Sequence, residues 1–142
     1  MGKIITLSTK LIRPTQDYLL GIKLDTLISD IEAGKITPPA IRFINGIAYA
    51  LDGHHLLSLQ NKTSGKAKIY VAKYPNDLMN ISMFPNARSE TVEDRNELIS
   101  HRFYMVESGA RTVQRQGIYT FEDLWNKNRK NTKPFDSILT LV

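Results

Sequence analysis

The run Asp52-Gly53-His54-His55 holds the side chains best suited to chemistry in this sequence. It stands between a strand-like run over 47–51 and a helix-like run that continues through Leu56, Leu57 and Leu59 to about Asn61. A helix opening straight after a strand presents N–H groups with partial positive charge, a favourable place for an anion such as phosphate. Gly53 leaves the backbone open to close approach. His54 and His55 bring imidazoles whose charge changes near neutral pH, which makes them candidates for general acid and base. Asp52 is a helix cap, the group that orients a histidine, or an oxygen ligand for a divalent cation such as Mg²⁺. The candidate catalytic set is therefore Asp52, His54 and His55, with Asp52 also the metal-ligand candidate. Consecutive helical positions diverge by about 100°, so the two histidines do not chelate one ion together. Ser58 follows about one turn later, which predicts its hydroxyl in the same pocket.

A second polar run, Arg13-Pro14-Thr15-Gln16, reads as the start of a short helix. There Arg13, Thr15 and Gln16 are candidates to contact a phosphate or another part of a ligand, or else form an ordinary cap with a solvated arginine. His101, the remaining histidine, falls in a later predicted helix and is expected at or near the surface.

The elements that must hold these residues follow from apolar periodicity and turn chemistry. Lys3 to Ser8 reads as an opening strand. Pro14 or Thr15 caps a short helical turn that Gly21 closes. Leu24, Leu27, Ile28 and Ile31 recur at helical spacing and predict a helix over 23–33 that ends at Gly34. Pro38-Pro39 forces an extended entry. Asn45-Gly46, between β-prone runs over 41–44 and 47–51, is a strong hairpin signal. A further strand is predicted over 67–73.

From Pro75 the texture is helical. Thr91-Val92-Glu93-Asp94 reads as a capping box for a helix to about Glu107, with Val92, Leu98, Ile99, Arg102 and Val106 on one face and Gly109 at its end. Thr120-Phe121-Glu122-Asp123 reads as a second box, opening a helix to about Lys130 that Pro134 stops. The expected organisation is a core over 1–74 and a mainly helical extension over 75–142 packed on the same domain.

A chain of 142 residues is the size of one domain, and 42% hydrophobic with 23% charged residues is neither a disordered nor a fibrous composition. The absence of cysteine excludes disulfides, thiolate metal sites and a cysteine nucleophile. Lys and Arg number 19 against 14 acids, a net charge of +5. That balance suits phosphate-bearing partners, or is simply a mildly basic solvated surface. The arginines at 88, 95, 102, 111, 115 and 129 extend it along the second half, and Phe121 and Trp125 adjoin the cluster Lys127, Arg129 and Lys130, a weak hint of base stacking. The first eight residues hold too short an apolar run for a secretory signal. Gly2 with Thr6 meets a myristoylation pattern, but Ile4-Ile5 also reads as strand. No run approaches the roughly 18 apolar residues of a membrane span. The expectation is a cytoplasmic protein with no membrane partner.

With those residues in view, 12–73 resembles the ParB/sulfiredoxin superfamily, and within it the ParB-like nucleases with a DGHH motif. Arg13-Pro14-Thr15-Gln16 is similar to the family's "PTQ" opening, Pro38-Pro39-Ala40-Ile41 to its "P-P-I" strand entry, and Tyr49-Ala50-Leu51-Asp52-Gly53-His54-His55 to its strand–DGHH–helix signature. The resemblance implies a compact α/β (α+β) fold with a small mixed sheet, and a phosphate received at the signature helix, with Gly53 and Ser58 beside it. It implies a nucleotide and Mg²⁺ as cofactors. The function it implies is a metal-dependent nuclease or phosphotransferase, or alternatively a non-catalytic nucleotide- or nucleic-acid-binding or regulatory protein. The chain departs from the pattern at Leu56, where many members carry an arginine that grips phosphate. It has no cysteine for sulfiredoxin chemistry, and Gln16 and Asp17 stand near the place of the glutamate used by serine-kinase relatives.

Overall fold

The computed structural model describes residues 2–79 and 92–139. Its centre is a five-stranded mixed sheet built from β1 (Lys3–Ser8), β2 (Ile12–Arg13), β3 (Ala40–Ile44), β4 (Ile47–Asp52) and β5 (Lys66–Val71), in the order β1-β5-β3-β4-β2. The fold class is α+β. The β3–β4 hairpin turns at Asn45 (φ 52°) and Gly46 (φ 80°), the left-handed pair that the Asn-Gly signal requires. β5 pairs antiparallel with β1 and parallel with β3, while β2 pairs parallel with β4.

Helices cover both faces of this sheet. α1 (Gly21–Glu32), α2 (His54–Lys62) and α6 (Phe121–Lys127) lie on one side, and α4 (Val92–Tyr104) and α5 (Val106–Gln114) on the other. The short helices α3 (Pro75–Met79), α7 (Arg129–Thr132) and α8 (Asp136–Leu139), with 3-10 turns at Thr9–Leu11 and Lys133–Phe135, complete the described elements. β4 shows why both faces need cover. Its alternate residues Ala48 and Ala50 pack with Leu57, Phe121, Leu124 and Trp125, while Tyr49 and Leu51 pack with Ile99, Phe103, Val106 and Ala110. A strand apolar on both sides belongs inside a layered fold. Residues of the second half thus line both cores against strands of the first.

Three sequence expectations change. Residues 14–20 form no helix, and Gly21 begins α1 rather than ending a turn. The N–H groups of Thr15, Leu19 and Leu20 bond instead to side chains from distant elements, as with Leu19 N–H and Asn128 Oδ1 at 3.1 Å. The predicted helix to Glu107 breaks at Met105, and α5 continues through Gly109, which therefore ends nothing. Gly109 sits there because a Cβ would lie 3.3 Å from the Thr15 carbonyl oxygen, so its bareness lets the 14–20 segment close on α5. The helix expected to about Lys130 is divided at Asn128, between α6 and α7. Its opening box forms as predicted: Thr120 Oγ1 accepts the Asp123 N–H at 3.1 Å and Asp123 Oδ2 accepts the Thr120 N–H at 3.1 Å. The other expected box, at Thr91, lies outside the described residues, as does Arg88.

Asn128 is the joint between the helical extension and the 14–20 segment. Besides accepting from Leu19, its Nδ2 donates to the carbonyls of Asp17 and Leu124, at 3.1 and 2.9 Å. Asn128→Ala should lower the unfolding free energy by about 1–3 kcal/mol, because it strands partly buried backbone groups. Asn128→Asp keeps the acceptor for Leu19 but turns a carboxylate oxygen toward the Asp17 and Leu124 carbonyls, so at neutral pH it should be at least as unstable as Asn128→Ala in urea denaturation.

Candidate functional site

Parallel pairing decides where the signature sits. Ile12 lies opposite Ala48 and Arg13 opposite Tyr49, so β2 and β4 leave the sheet at the same edge. The 14–20 segment and the Asp52-Gly53-His54-His55 turn therefore emerge side by side, at the carboxyl ends of parallel strands where open sheets commonly bind ligands. Gly53 makes the turn from β4 into α2. Its φ of +87° is left-handed, and a Cβ would stand 2.7 Å from the Pro39 Cβ, so both backbone conformation and space demand glycine.

Both histidines are buried and both reach the neighbouring segment. His54 Nε2 accepts the Thr15 backbone N–H at 2.9 Å, and His55 Nε2 accepts the Leu20 backbone N–H at 2.9 Å. A backbone N–H can only donate, so each Nε2 carries its lone pair and each neutral ring holds its proton on Nδ1. The Thr15 hydroxyl donates to the Ala50 carbonyl at 2.7 Å and touches His54 Nε2 at 3.2 Å, which fixes the first contact further. His54 Nδ1 is enclosed and has no hydrogen-bond partner, and its ring tilts against Phe121 with centroids 5.7 Å apart. Tyr18 meets the His55 ring edge-on at 6.3 Å.

Burial makes both rings hard to charge. Desolvation, with smaller contributions from Arg102 and His55, lowers the His54 pKa to about 3. Desolvation, aided by Lys23, lowers that of His55 to about 4. At neutral pH both are uncharged acceptors. Asp52 moves the other way. Burial raises its carboxyl above the ordinary value, against the Gly53 N–H, Arg102 and Lys23, which pull it down.

Of the candidates in the second polar run, Thr15 alone meets this turn directly. Arg13 donates to the Tyr119 carbonyl at 3.2 Å and Gln16 to the Tyr18 carbonyl at 2.9 Å. Ser58 is buried and donates to the His54 carbonyl at 2.7 Å, so its hydroxyl closes on its own helix rather than on a pocket. Leu56 is buried in the core, and His101 is exposed, as its helical position suggested. Phe121 and Trp125 are fully enclosed, so neither presents a face for base stacking.

Two residues outside the sequence-derived set belong to the site. Arg102 of α4 donates to the Leu51 carbonyl at 2.9 Å, and its charge reaches Asp52 and His54. The charge of Lys23, on α1, reaches Asp52 and His55. The available signal for Arg102 was its place within an otherwise apolar face of the predicted helix.

No side chain caps the N terminus of α2, whose first residues His54, His55 and Leu56 are buried, and the charges of Lys23 and Arg102 reach the residues of this turn. That arrangement can receive an anion. Among the described residues no three His, Cys, Asp or Glu side chains converge on a metal position. Asp52 is a single carboxylate at this turn, and one carboxylate alone does not make a protein metal site. No described helix is long and apolar enough to cross a membrane.

No protein-family model matches the chain, and no curated protein or solved structure shows significant similarity to it.

The depressed histidine pKa values set a pH dependence. An unfolded imidazole takes up its proton near pH 6.5, whereas the folded ones wait until about 4 and about 3. The unfolded state therefore binds more protons below 6.5. The contribution is whole above that pH and falls away as the pH drops toward 4, by up to about 1.4 kcal/mol per pH unit for each imidazole. His55→Gln keeps an acceptor for the Leu20 N–H and takes up no proton. Its stability, measured by denaturant titration from pH 7 to pH 4, should decline less steeply than that of the wild type; parallel curves would refute the assignment.

Proposed function

We propose that this chain is a ParB-like cytoplasmic protein that binds the phosphate of a nucleotide or nucleic acid at the N terminus of α2. In this reading it acts as a binding module, with the two histidines as its internal frame. The observation that carries it is the engagement of both Nε2 atoms by backbone N–H groups beside an uncapped helix start. A ring whose accepting nitrogen is already occupied and whose pKa lies near 3 or 4 is poorly suited to exchange protons at neutral pH. What remains for an anion is backbone N–H dipoles and two cations. Lys23 and Arg102 bring positive charge to the turn, the kind of charge Leu56 does not offer.

One observation favours the catalytic alternative, a Mg²⁺-dependent nuclease or phosphotransferase. Asp52 is a partly buried carboxyl with a raised pKa directly before the helix start, the kind of perturbed group found at reacting centres.

The two separate in one set of titrations. Backbone amide resonances would be followed with ATP, CTP and a short DNA, each with and without Mg²⁺. The binding reading expects shifts at His54, His55 and Leu56, weaker binding in Lys23→Gln, and log K falling by about 0.7–0.9 per phosphate contact as log salt rises. Salt-indifferent binding, or shifts that avoid this turn, would defeat it. Phosphate release or DNA cleavage that is lost in Asp52→Asn would establish the catalytic alternative instead.

A further inference from the structure

The sheet has two unlike edges. β2, at one, is two residues long and leads into the packed 14–20 segment. β1, at the other, runs for six residues, with no proline, no register shift against β5 and no charge after Lys3. Proline, bulges and mid-strand charges are what ordinarily keep a sheet edge from adding a strand, and β1 has only the lysine at its start. The register fixes which backbone groups are free. Tyr70 and Ala72 give their N–H groups to the Pro39 and Ile41 carbonyls, on the β3 side. The backbone groups of Ala67, Ile69 and Val71 therefore face β1, where they meet Leu7, Ile5 and Lys3. Thr9 N–H, donating to the Gly65 carbonyl at 3.0 Å, keeps the same alternation. The N–H and C=O groups of Ile4, Thr6 and Ser8 consequently point away from the sheet, where no strand lies among the described residues. Ile4 is 58% exposed beside them.

We infer that β1 pairs antiparallel with β1 of a second copy of this chain, about a two-fold axis at Thr6, so that two five-stranded sheets become one. The strand is complementary to itself in that register. Thr6 lies opposite Thr6 of the second copy, a favourable cross-strand pair, and Ile4 lies opposite Ser8, so every outward N–H and C=O finds a partner. Ile5 lies opposite Leu7 at the closer, non-hydrogen-bonded positions. Both are partly buried against the core that holds Ala67 and Ile69, so pairing carries that apolar layer across the joint. The charges also fit, although the chain carries +5. Lys3 of one copy and Lys3 of the other lie at opposite ends of the joint. Lys68, opposite Thr6 on β5, stands about 14 Å from its counterpart, beyond the screening length of about 8 Å at physiological salt. A strand of another protein would gain the same backbone bonds, but the apolar match and the separation of like charges come from this strand's own pattern. One strand from each copy buries less than the roughly 1,200–2,000 Å² of stable complexes, so monomer and dimer exchange with concentration. β1 is at the far edge of the sheet from the Asp52-Gly53-His54-His55 turn, so the pairing does not rest on the anion-binding reading.

The full chain should sediment as a monomer–dimer equilibrium, its average mass rising from micromolar to millimolar protein. The sequence has no cysteine, so single cysteines report the joint without background. Thr6→Cys, on the axis, should form a disulfide-linked dimer under mild oxidation, because directly opposite hydrogen-bonded residues stand about 5.5 Å apart at Cα, within disulfide range. Ile4→Cys should cross-link far less, its counterpart being about 14 Å away. Thr6→Pro removes an N–H that faces away from β5, so it should keep the wild-type circular dichroism. It should raise the dissociation constant about tenfold or more, as loss of both bonds across the axis implies. The cysteine pair reads the joint whether or not the proline variant folds. The inference fails if the chain stays monomeric throughout, if Ile4→Cys cross-links as readily as Thr6→Cys, or if folded Thr6→Pro associates like the wild type. An edge kept for a strand of another protein would show as the first of these outcomes.

Discussion

The Thr15 and Leu20 N–H groups, each donating to an imidazole nitrogen, hold together the edge of the sheet where the signature lies. Residues 14–20 have no regular structure and pack against α5 and the start of α2, so their backbone donors need partners from elsewhere. His54 meets one near the start of the segment and His55 one at its end, while Asn128 meets Leu19 between them. Adjacent residues at the first turn of a helix point in different directions. That divergence, which prevents the two rings from sharing a metal, lets them grip two separated points on one segment.

This contact ties the chain's halves together. The 14–20 segment rests on Gly109 of α5 and on Asn128 beyond α6, so the elements covering opposite faces of the sheet meet through it. It also imposes the electrostatic character of the turn. An imidazole that accepts from a backbone N–H must stay neutral on that nitrogen, and burial with nearby cations enforces the neutral form. Removing either ring would therefore disturb the position of Thr15 or Leu20 as well as any proton it could carry. Loss of function in a histidine variant would not by itself identify a catalytic base.

The elements legible in the sequence are those whose determinants are local. Asn45-Gly46 turns the hairpin, Leu24 and Leu27 help mark the buried side of α1, and Thr120 with Asp123 opens α6 through bonds spanning three residues. The strand–turn–helix setting of Asp52-Gly53-His54-His55 was legible for the same reason. The misread elements depend on partners far along the chain. Pro14 and Thr15 have the local chemistry of a helix start, but the Thr15 N–H finds His54, 39 residues away. Gly109 has the chemistry of a helix end, but the backbone of Thr15 passes over it. Ser58 has the right spacing for the pocket, yet its hydroxyl turns back to the carbonyl four residues earlier. Spacing locates residues on an element; it does not say which acceptor competes for each donor.

The same reasoning explains why Arg102 and Lys23 were hidden. Neither is near the signature in sequence, and an arginine or lysine on a helix is ordinarily solvated. Their significance comes from two packing events: α4 laid across the Tyr49 and Leu51 face of the sheet, and α1 packed beside α2. Arg102 is anchored to the Leu51 carbonyl, directly before Asp52, so its position is tied to the end of β4 itself. A site of this kind divides its labour. In the anion-binding reading, the Asp52-Gly53-His54-His55 turn gives the helix N–H groups and the surrounding helices give the charge. Such a division allows Leu56 to be apolar and buried. An arginine at that core position would carry a desolvation cost on the order of several kcal/mol, whereas cations brought by α1 and α4 avoid that enclosed position.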